Sequence, residues 1–173
     1  MTMKPAMLTS VSELTRVHFE GPRSFDEVRL ALRRLLGTSR LQEVLDHAGA
    51  VRNADDFERI IQPLIGESGF MLFLELDHSG WLPLYGVTRK AVRLIFGNPL
   101  IAITMIRHDI EAALFAPVEL LLVENADGEG STIIYDLPSS LMRAETNPKL
   151  LKAAQALDAK VAAMAGVAVG LSG

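Results

Sequence analysis

Two histidines stand where an imidazole could do acid–base chemistry. His78 follows Asp77 at the end of an apolar run, three residues before Trp81, the only tryptophan of the chain. His108 lies in the triplet Arg-His-Asp that closes the segment "LIFGNPLIAITMIRHD". Because an imidazole titrates near neutral pH, either histidine could act as a general acid or base in a cleft. Both are therefore candidate catalytic residues.

The same segment contains the turn Gly97-Asn98-Pro99. Gly97 permits a sharp exit from a strand, Asn98 is a favoured helix N-cap, and Pro99 suits the first position of a helix. This structural interpretation explains all three residues. A helix N-terminus also presents free N–H groups to an anion, so Asn98 is a candidate ligand-binding residue as well. The turn matches neither G-x-G-x-x-G nor G-x-x-x-x-G-K-[ST].

The composition excludes several kinds of chemistry. The chain has no cysteine, which removes thiolate nucleophiles, disulfides, iron–sulfur clusters and cysteine-ligated zinc. The patterns H-x-x-x-H, H-E-x-x-H and G-x-S-x-G do not occur, so we expect neither a metal site nor a serine nucleophile. We expect no cofactor either.

Charge and hydropathy limit the partners of the chain. Its 173 residues carry a net charge of −4, with a pI near 5.6. This balance gives no general attraction to nucleic acid or to an anionic membrane. No apolar run approaches the roughly 20 residues that span a bilayer, and the N-terminus lacks the apolar region of a secretory signal. We expect a cytoplasmic protein that binds neither nucleic acid nor membrane.

Hydrophobic patterns place the candidate residues within a mixed order of helices and strands. Strand patterns cover residues 15–20, 70–76, 91–96, 117–124 and 131–137, and helical patterns cover 25–36, 39–48, 53–66, 99–115 and 148–166. In the helix over 99–115, the residues that share one apolar face are Ile103, Ile106, Ile110 and Leu114. The order of elements predicts an α+β fold, with an antiparallel sheet and helices on one face.

Three segments together resemble one known family. They are "LDHSGWL", "LIFGNPLIAITMIRHDIEAALFAPVELLLVENADGEG" and "IIYDLPSSLM". Over about residues 54–165 they resemble the domain of unknown function 302 family. The resemblance implies a compact α+β domain similar to one half of the TATA-box-binding protein, with a curved antiparallel sheet and helices on one face. It also implies a homodimer, and it carries no established activity.

The resemblance also implies which residues carry the family's signature. By position these are Asp77, His78, Gly97, Asn98, Pro99, Tyr135 and Pro138. The first 50 residues depart from the family pattern, because they contain an added strand and two helices. We therefore predict a single domain over residues 1–173, with an N-terminal elaboration over 1–53 and a family-like core over 54–165. The similarity to a DNA-binding fold is no argument for DNA binding.

These observations favour a small-molecule-binding domain, with a cleft at strand and helix ends that holds an anionic or amphipathic ligand. The expected ligand-binding residues are Asp77, His78, Trp81, Asn98, His108 and Tyr135. One alternative is a cofactor-free enzyme that uses His78 or His108 as a general base. Another is a structural or partner-binding homodimer, whose interface would use the strand "VELLLV" and the alanine-rich C-terminal helix.

Overall fold

The computed structural model describes residues 7, 9–38 and 41–171. Its strands are β1 (Arg16–Gly21), β2 (Gly37–Thr38), β3 (Met71–Asp77), β4 (Ala91–Gly97), β5 (Val118–Glu124) and β6 (Ser131–Asp136). Its α-helices are α1 (Phe25–Leu35), α2 (Leu41–Ala50), α3 (Ala54–Ile61), α4 (Pro99–Ile106), α5 (Pro138–Leu141) and α6 (Pro148–Val169). Short 3-10 helices cover Gln62–Leu64, Leu82–Tyr85, Ile110–Phe115 and Ala144–Thr146. The predicted second helix began at residues 39 and 40, which lie outside the described residues.

The strands form one six-stranded sheet in the order β1-β6-β5-β4-β3-β2. All neighbouring pairs are antiparallel except β2 with β3, which is parallel. The N-terminal segment supplies both edges of this sheet, since β1 pairs with β6 and β2 pairs with β3. The predicted N-terminal elaboration is therefore part of the sheet itself.

The main core lies between one face of the sheet and helices α1 and α6. Alternate residues of β4 are fully buried there, as a strand with one covered face requires. From the helices, Leu32 of α1 and Val161 of α6 pack into the same cluster. The predicted α+β architecture with a largely antiparallel sheet is confirmed, and its two main core helices lie on one face of that sheet.

A smaller apolar cluster lies on the opposite face, at the start of β3. It joins Met71 to Val44 of α2 and Ile61 of α3. Phe70 belongs to the main core, and successive side chains of an extended chain point to opposite faces, so α2 and α3 cover a corner of the second face. Further along the same strand, Leu74 is 46% exposed. The helices therefore leave much of this face uncovered.

Side-chain caps mark the starts of four α-helices. Ser24 and Glu27 form both hydrogen bonds of a capping box before α1. The side chains of Asn53, Asn98 and Asn147 accept hydrogen bonds from the first turns of α3, α4 and α6. The N-cap predicted at Asn98 is confirmed. The other caps use the same favoured residue types, and a cap depends only on residues within one turn of it.

The predicted helix over 99–115 is wrong in its second half. The α-helix ends at Ile106, and the carboxylate of Asp109 then caps the 3-10 helix that follows. A capping carboxylate competes with continuation of the α-helix, which explains the break. As a result Ile110 is 73% exposed and Leu114 is 80% exposed, so the predicted apolar face is not buried.

The two segments expected to form a dimer interface lie largely inside the molecule. The apolar residues of α6 face the sheet, with Leu157 and Val161 in the main core. Strand β5 pairs with β4 over residues 118–123 and with β6 over residues 121–124, and its residues Leu120 and Leu122 are buried. These side chains are unavailable to a partner, and the homodimer stays a prediction.

Candidate functional site

The predicted site residues do not gather in one cleft. Asp77 ends β3 beside the start of β4, whereas Gly97 ends β4 beside the start of β3. His78 follows the first and Asn98 follows the second, so they lie at opposite ends of the sheet, with roughly 20 Å of strand between them. The expectation that His78 and Asn98 share a cleft is therefore wrong. The sequence places a residue at the end of a strand, but it does not show at which end of the sheet that strand ends.

At one end of the sheet, Asp77 and His78 organise a turn. The ring of His78 contacts Trp81 edge to face, with 5.6 Å between centroids. The carboxylate of Asp77 accepts a hydrogen bond from the Ser79 N–H at 2.9 Å and forms an ion pair with Arg29 at 2.8 Å. Partial burial acts to raise the pKa of Asp77, but these two donors outweigh it and hold the pKa below its usual value. Asp77 thus has a structural role in this turn.

Asn98 and His108 lie on either end of α4. The Oδ1 atom of Asn98 accepts a hydrogen bond from the Leu100 N–H at 2.8 Å, and its Nδ2 donates to the Gly69 carbonyl at 2.9 Å. Both polar atoms of the side chain are thus used within the fold. His108 follows the end of the helix with an exposed side chain, and its carbonyl accepts a hydrogen bond from Asn147. The helix separates the two residues.

The structure instead forms a cavity between β5 and β6. Their pairing ends at Leu121 and Ile134, although both strands continue. Beyond that point, residues 118–120 pair with β4 on their far side and residues 135–136 pair with β1 on theirs. The divergence leaves a cavity of about 650 Å³, which we call the slit.

The slit has an apolar interior and a charged rim. Arg16 forms an ion pair with Asp136, with 2.7 Å between Nε and Oδ1, and Arg93 forms one with Glu119. His18 also lines this rim. The apolar lining comes from Leu114, Phe115, Pro117, Val118, Leu120, Leu121, Ile134, Pro138 and Leu141. Opposite charges beside an apolar interior suit a molecule that is itself part apolar and part polar.

Tyr135 is the expected ligand-binding residue that lines the slit. It is 4% exposed, and its ring stacks on Phe19 with 6.2 Å between centroids. Its hydroxyl is buried and has no hydrogen-bond partner among the described residues. Burial, and after it the carboxylate of Asp158, raises the pKa of Tyr135 to about 12. The residue therefore contributes a protonated, solvent-inaccessible phenol and one wall of the slit.

Replacing Tyr135 with Phe tests this description. We expect the free energy of unfolding at pH 7 to stay constant or rise slightly, since burying an unpaired hydroxyl costs about 1–3 kcal/mol. The unfolded chain releases the tyrosine proton near pH 10, whereas the folded chain holds it to about pH 12. Stability of the wild type therefore falls as pH rises through this window, and the Phe variant lacks that loss. Urea unfolding of both proteins at pH 7 and pH 11 measures it.

A destabilisation of about 1–3 kcal/mol in the Phe variant at pH 7 would contradict the prediction. It would mean that the hydroxyl has a hydrogen-bond partner in solution, for which the nearby carboxylate of Asp158 is the obvious acceptor.

Comparison with known proteins places the chain in a family. The model of the family described as "Domain of unknown function DUF302" matches residues 47–166, which is more than half of the chain. The chain belongs to the DUF302 family. The match begins within α2, so β1, α1 and β2 of this DUF302 protein precede the matched region.

Among the solved structures that match, one shows the same fold as this DUF302 protein over most of its length. It is the crystal structure of an uncharacterized conserved DUF302 protein from Bacillus stearothermophilus, with a TM-score of 0.58 and 16% sequence identity. The similarity covers 87% of this chain and 94% of that one. At this identity the likeness shows the fold alone. No curated protein matches the chain.

The signature residues of this DUF302 protein divide among three places. Asp77 and His78 lie at one end of the sheet, residues 97–99 lie at the other, and Tyr135 and Pro138 line the slit. Within residues 7, 9–38 and 41–171, no group of three potential metal ligands comes together. Among the helices described there, none has the length and apolar character needed to cross a bilayer.

The charged residues at the rim of the slit were not predicted from the sequence. A usable signal existed in "TRVHFE", because Arg16 and His18 alternate with residues that pack against the core. Alternation places both side chains on the same, uncovered face of the sheet. It does not predict that β1 lies beside β6, and that pairing brings Arg16 to Asp136.

Proposed function

We propose that this protein binds a small amphipathic molecule in the slit between β5 and β6. The observation that carries the proposal is the divergence of two interior strands beyond Leu121 and Ile134. In a continuous antiparallel pair, the facing backbone edges bond to each other. Here the edges of residues 118–120 and 135–136 face a cavity, so a ligand with hydrogen-bonding groups would gain partners that a closed sheet does not offer.

The size and chemistry of the slit support the same proposal. Small-molecule pockets commonly enclose about 300–1,000 Å³ and combine an apolar lining with a few polar groups. The slit encloses about 650 Å³ and joins apolar side chains to a polar rim. An apolar body would displace water from the interior, while a polar head would be held at the rim.

The ion pairs at the rim favour an uncharged head over an anionic one. The guanidinium groups of Arg16 and Arg93 already face the carboxylates of Asp136 and Glu119. An anion that approaches either arginine would also meet the negative charge of its partner, which offsets the attraction. Of the anionic and amphipathic ligands expected from the sequence, the rim therefore supports the amphipathic class.

Calorimetric titration with octanol, octanoate and octylamine tests the proposal, because these probes share one apolar body and differ only in the head. We expect saturable binding of octanol at one site, and weaker binding of the two ions. Leu114 is 80% exposed and lines the slit, so Leu114→Trp adds bulk there with little effect on folding. This variant should bind octanol about tenfold more weakly.

The matched control is Leu84→Trp, at a leucine that is 81% exposed on the Leu82–Tyr85 helix. This helix connects β3 to β4 at the far end of the sheet, so the control should bind octanol as the wild type does. No saturable binding of any of the three probes would refute the proposal, and so would equal octanol affinity in the two variants.

A further inference from the structure

We infer that a second pocket, beneath α2, binds an uncharged apolar molecule about the size of one aromatic ring. This pocket encloses about 160 Å³ where residues 97–99 meet α2 and α4. We call it the apolar pocket. It differs from the slit in size and in chemistry, and the inference does not depend on ligand binding in the slit.

The lining of the apolar pocket sets the class of ligand. Its walls include Phe70, Phe73 and Met105, and the only polar side chain among the lining residues is Asn98. Both polar atoms of Asn98 are already engaged, with the Leu100 N–H and the Gly69 carbonyl. Water therefore finds few partners in the pocket. Enclosed apolar cavities of about 150 Å³ bind benzene or xenon. This pocket has a similar volume and opens to solvent beside Leu41 and Leu45, so an uncharged ring without hydrogen-bonding groups fits it.

Helix α2 provides the way in. Val44 is the only residue of this helix that is buried. Leu41 and Leu45 also line the pocket, yet they are 41% and 54% exposed. An element held by few buried contacts opens at a lower free energy than the core does. A ligand can thus enter on the α2 side while the sheet and α6 stay packed.

The position of the apolar pocket connects it with the rest of the molecule. Pro117 and Val118 line the apolar pocket and also line the slit. The turn at residues 97–99, which carries part of the family signature, forms another wall. The apolar pocket therefore has one wall from the signature turn and shares another with the slit.

Toluene is the probe for this inference, followed by NMR titration and by the shift in Tm. We expect saturable changes at residues of α2 and α4, and a rise in Tm with toluene concentration. Ala102→Leu fills the pocket and should weaken toluene binding at least about tenfold. Because an added leucine can also disturb packing, Ala102→Ser serves as a second variant of nearly the same volume. Its hydroxyl should weaken binding several-fold by making the lining polar.

Two controls separate this site from the slit. Ala163→Leu makes the same substitution at an exposed position of α6, and Leu114→Trp blocks the slit. Both should bind toluene as the wild type does. The inference is overturned if the wild type shows no saturable response, or if both Ala102 variants bind toluene with wild-type affinity. Loss of toluene binding in Leu114→Trp would overturn it as well, by placing toluene in the slit.

Discussion

Replacing Glu75 with Ala is expected to lower the free energy of unfolding by about 2–4 kcal/mol. Glu75 lies on β3 beneath α1, and its side chain is only 12% exposed. Its Oε1 atom accepts a hydrogen bond from Arg29 Nε at 2.6 Å, and its Oε2 atom accepts one from Arg33 Nε at 2.8 Å. The substitution leaves the Arg29 guanidinium, which is 20% exposed, with Asp77 as its remaining acidic partner. The substitution removes the carboxylate that two arginines share and leaves the largely buried Arg29 with less compensating charge, which explains the large effect.

The matched control is Glu119→Ala, which breaks the ion pair with Arg93. The side chains of this pair are 53% and 43% exposed, so water screens them and the expected loss is at most about 1 kcal/mol. Urea unfolding at pH 7 measures both variants. Equal losses in the two would show that burial beneath α1 adds nothing to the contribution of Glu75.

The same carboxylate links stability to pH. Burial acts to raise the pKa of Glu75, but the guanidinium groups of Arg33 and Arg29 outweigh it, and the pKa lies below the usual value. A lowered carboxyl pKa stabilises the fold above the unfolded-state pKa of about 4.3, and this contribution is lost as pH falls through the folded-state value. The difference in stability between wild type and Glu75→Ala should therefore shrink as the pH is lowered below about 4.

Replacing Gly66 with Ala should be at least as damaging, with an expected loss of more than about 3 kcal/mol. Two distant backbone segments lie in direct contact here, since the N–H groups of Gly37 and Gly66 both donate to the Phe70 carbonyl at 2.9 Å. A Cβ on Gly66 would overlap the Gly37 nitrogen and the Leu35 carbonyl oxygen. Both are backbone atoms, which cannot rotate away as a side chain can, so β2 would separate from β3. Urea unfolding, with hydrogen exchange at β2, measures the effect.

Gly49→Ala is the control for this second prediction. Gly49 lies in α2, and a Cβ built there meets no atom within 4 Å. Alanine is the better helix former, so this variant should gain about 0.5–1 kcal/mol. A Gly66→Ala protein with wild-type stability and wild-type protection of β2 would contradict the close backbone contact at Gly66.

Features that depend on near neighbours in the chain were predictable. The capping box at Ser24 and the N-cap at Asn98 involve residues within one turn of each other, and both are present. Alternation of apolar residues located the strands, because every second side chain of a strand faces the same side. The break after Ile106 was not predicted, because the apolar helical pattern continues past Asp109 and does not show that this residue caps a new helix.

The candidate site depended on distant segments. The residue types at Asp77, His78 and Asn98 indicated a site at strand and helix ends. The antiparallel pairing of β3 with β4 places these residues at opposite ends of the sheet. The slit arises because, beyond Leu121 and Ile134, β5 stays paired with β4 and β6 stays paired with β1, while β5 and β6 no longer pair with each other. The sequence alone therefore determined most of the elements, the caps of their helices and the family. Only the tertiary structure decided which of them meet, because strand pairing joins residues that are far apart in the chain and leaves no local pattern.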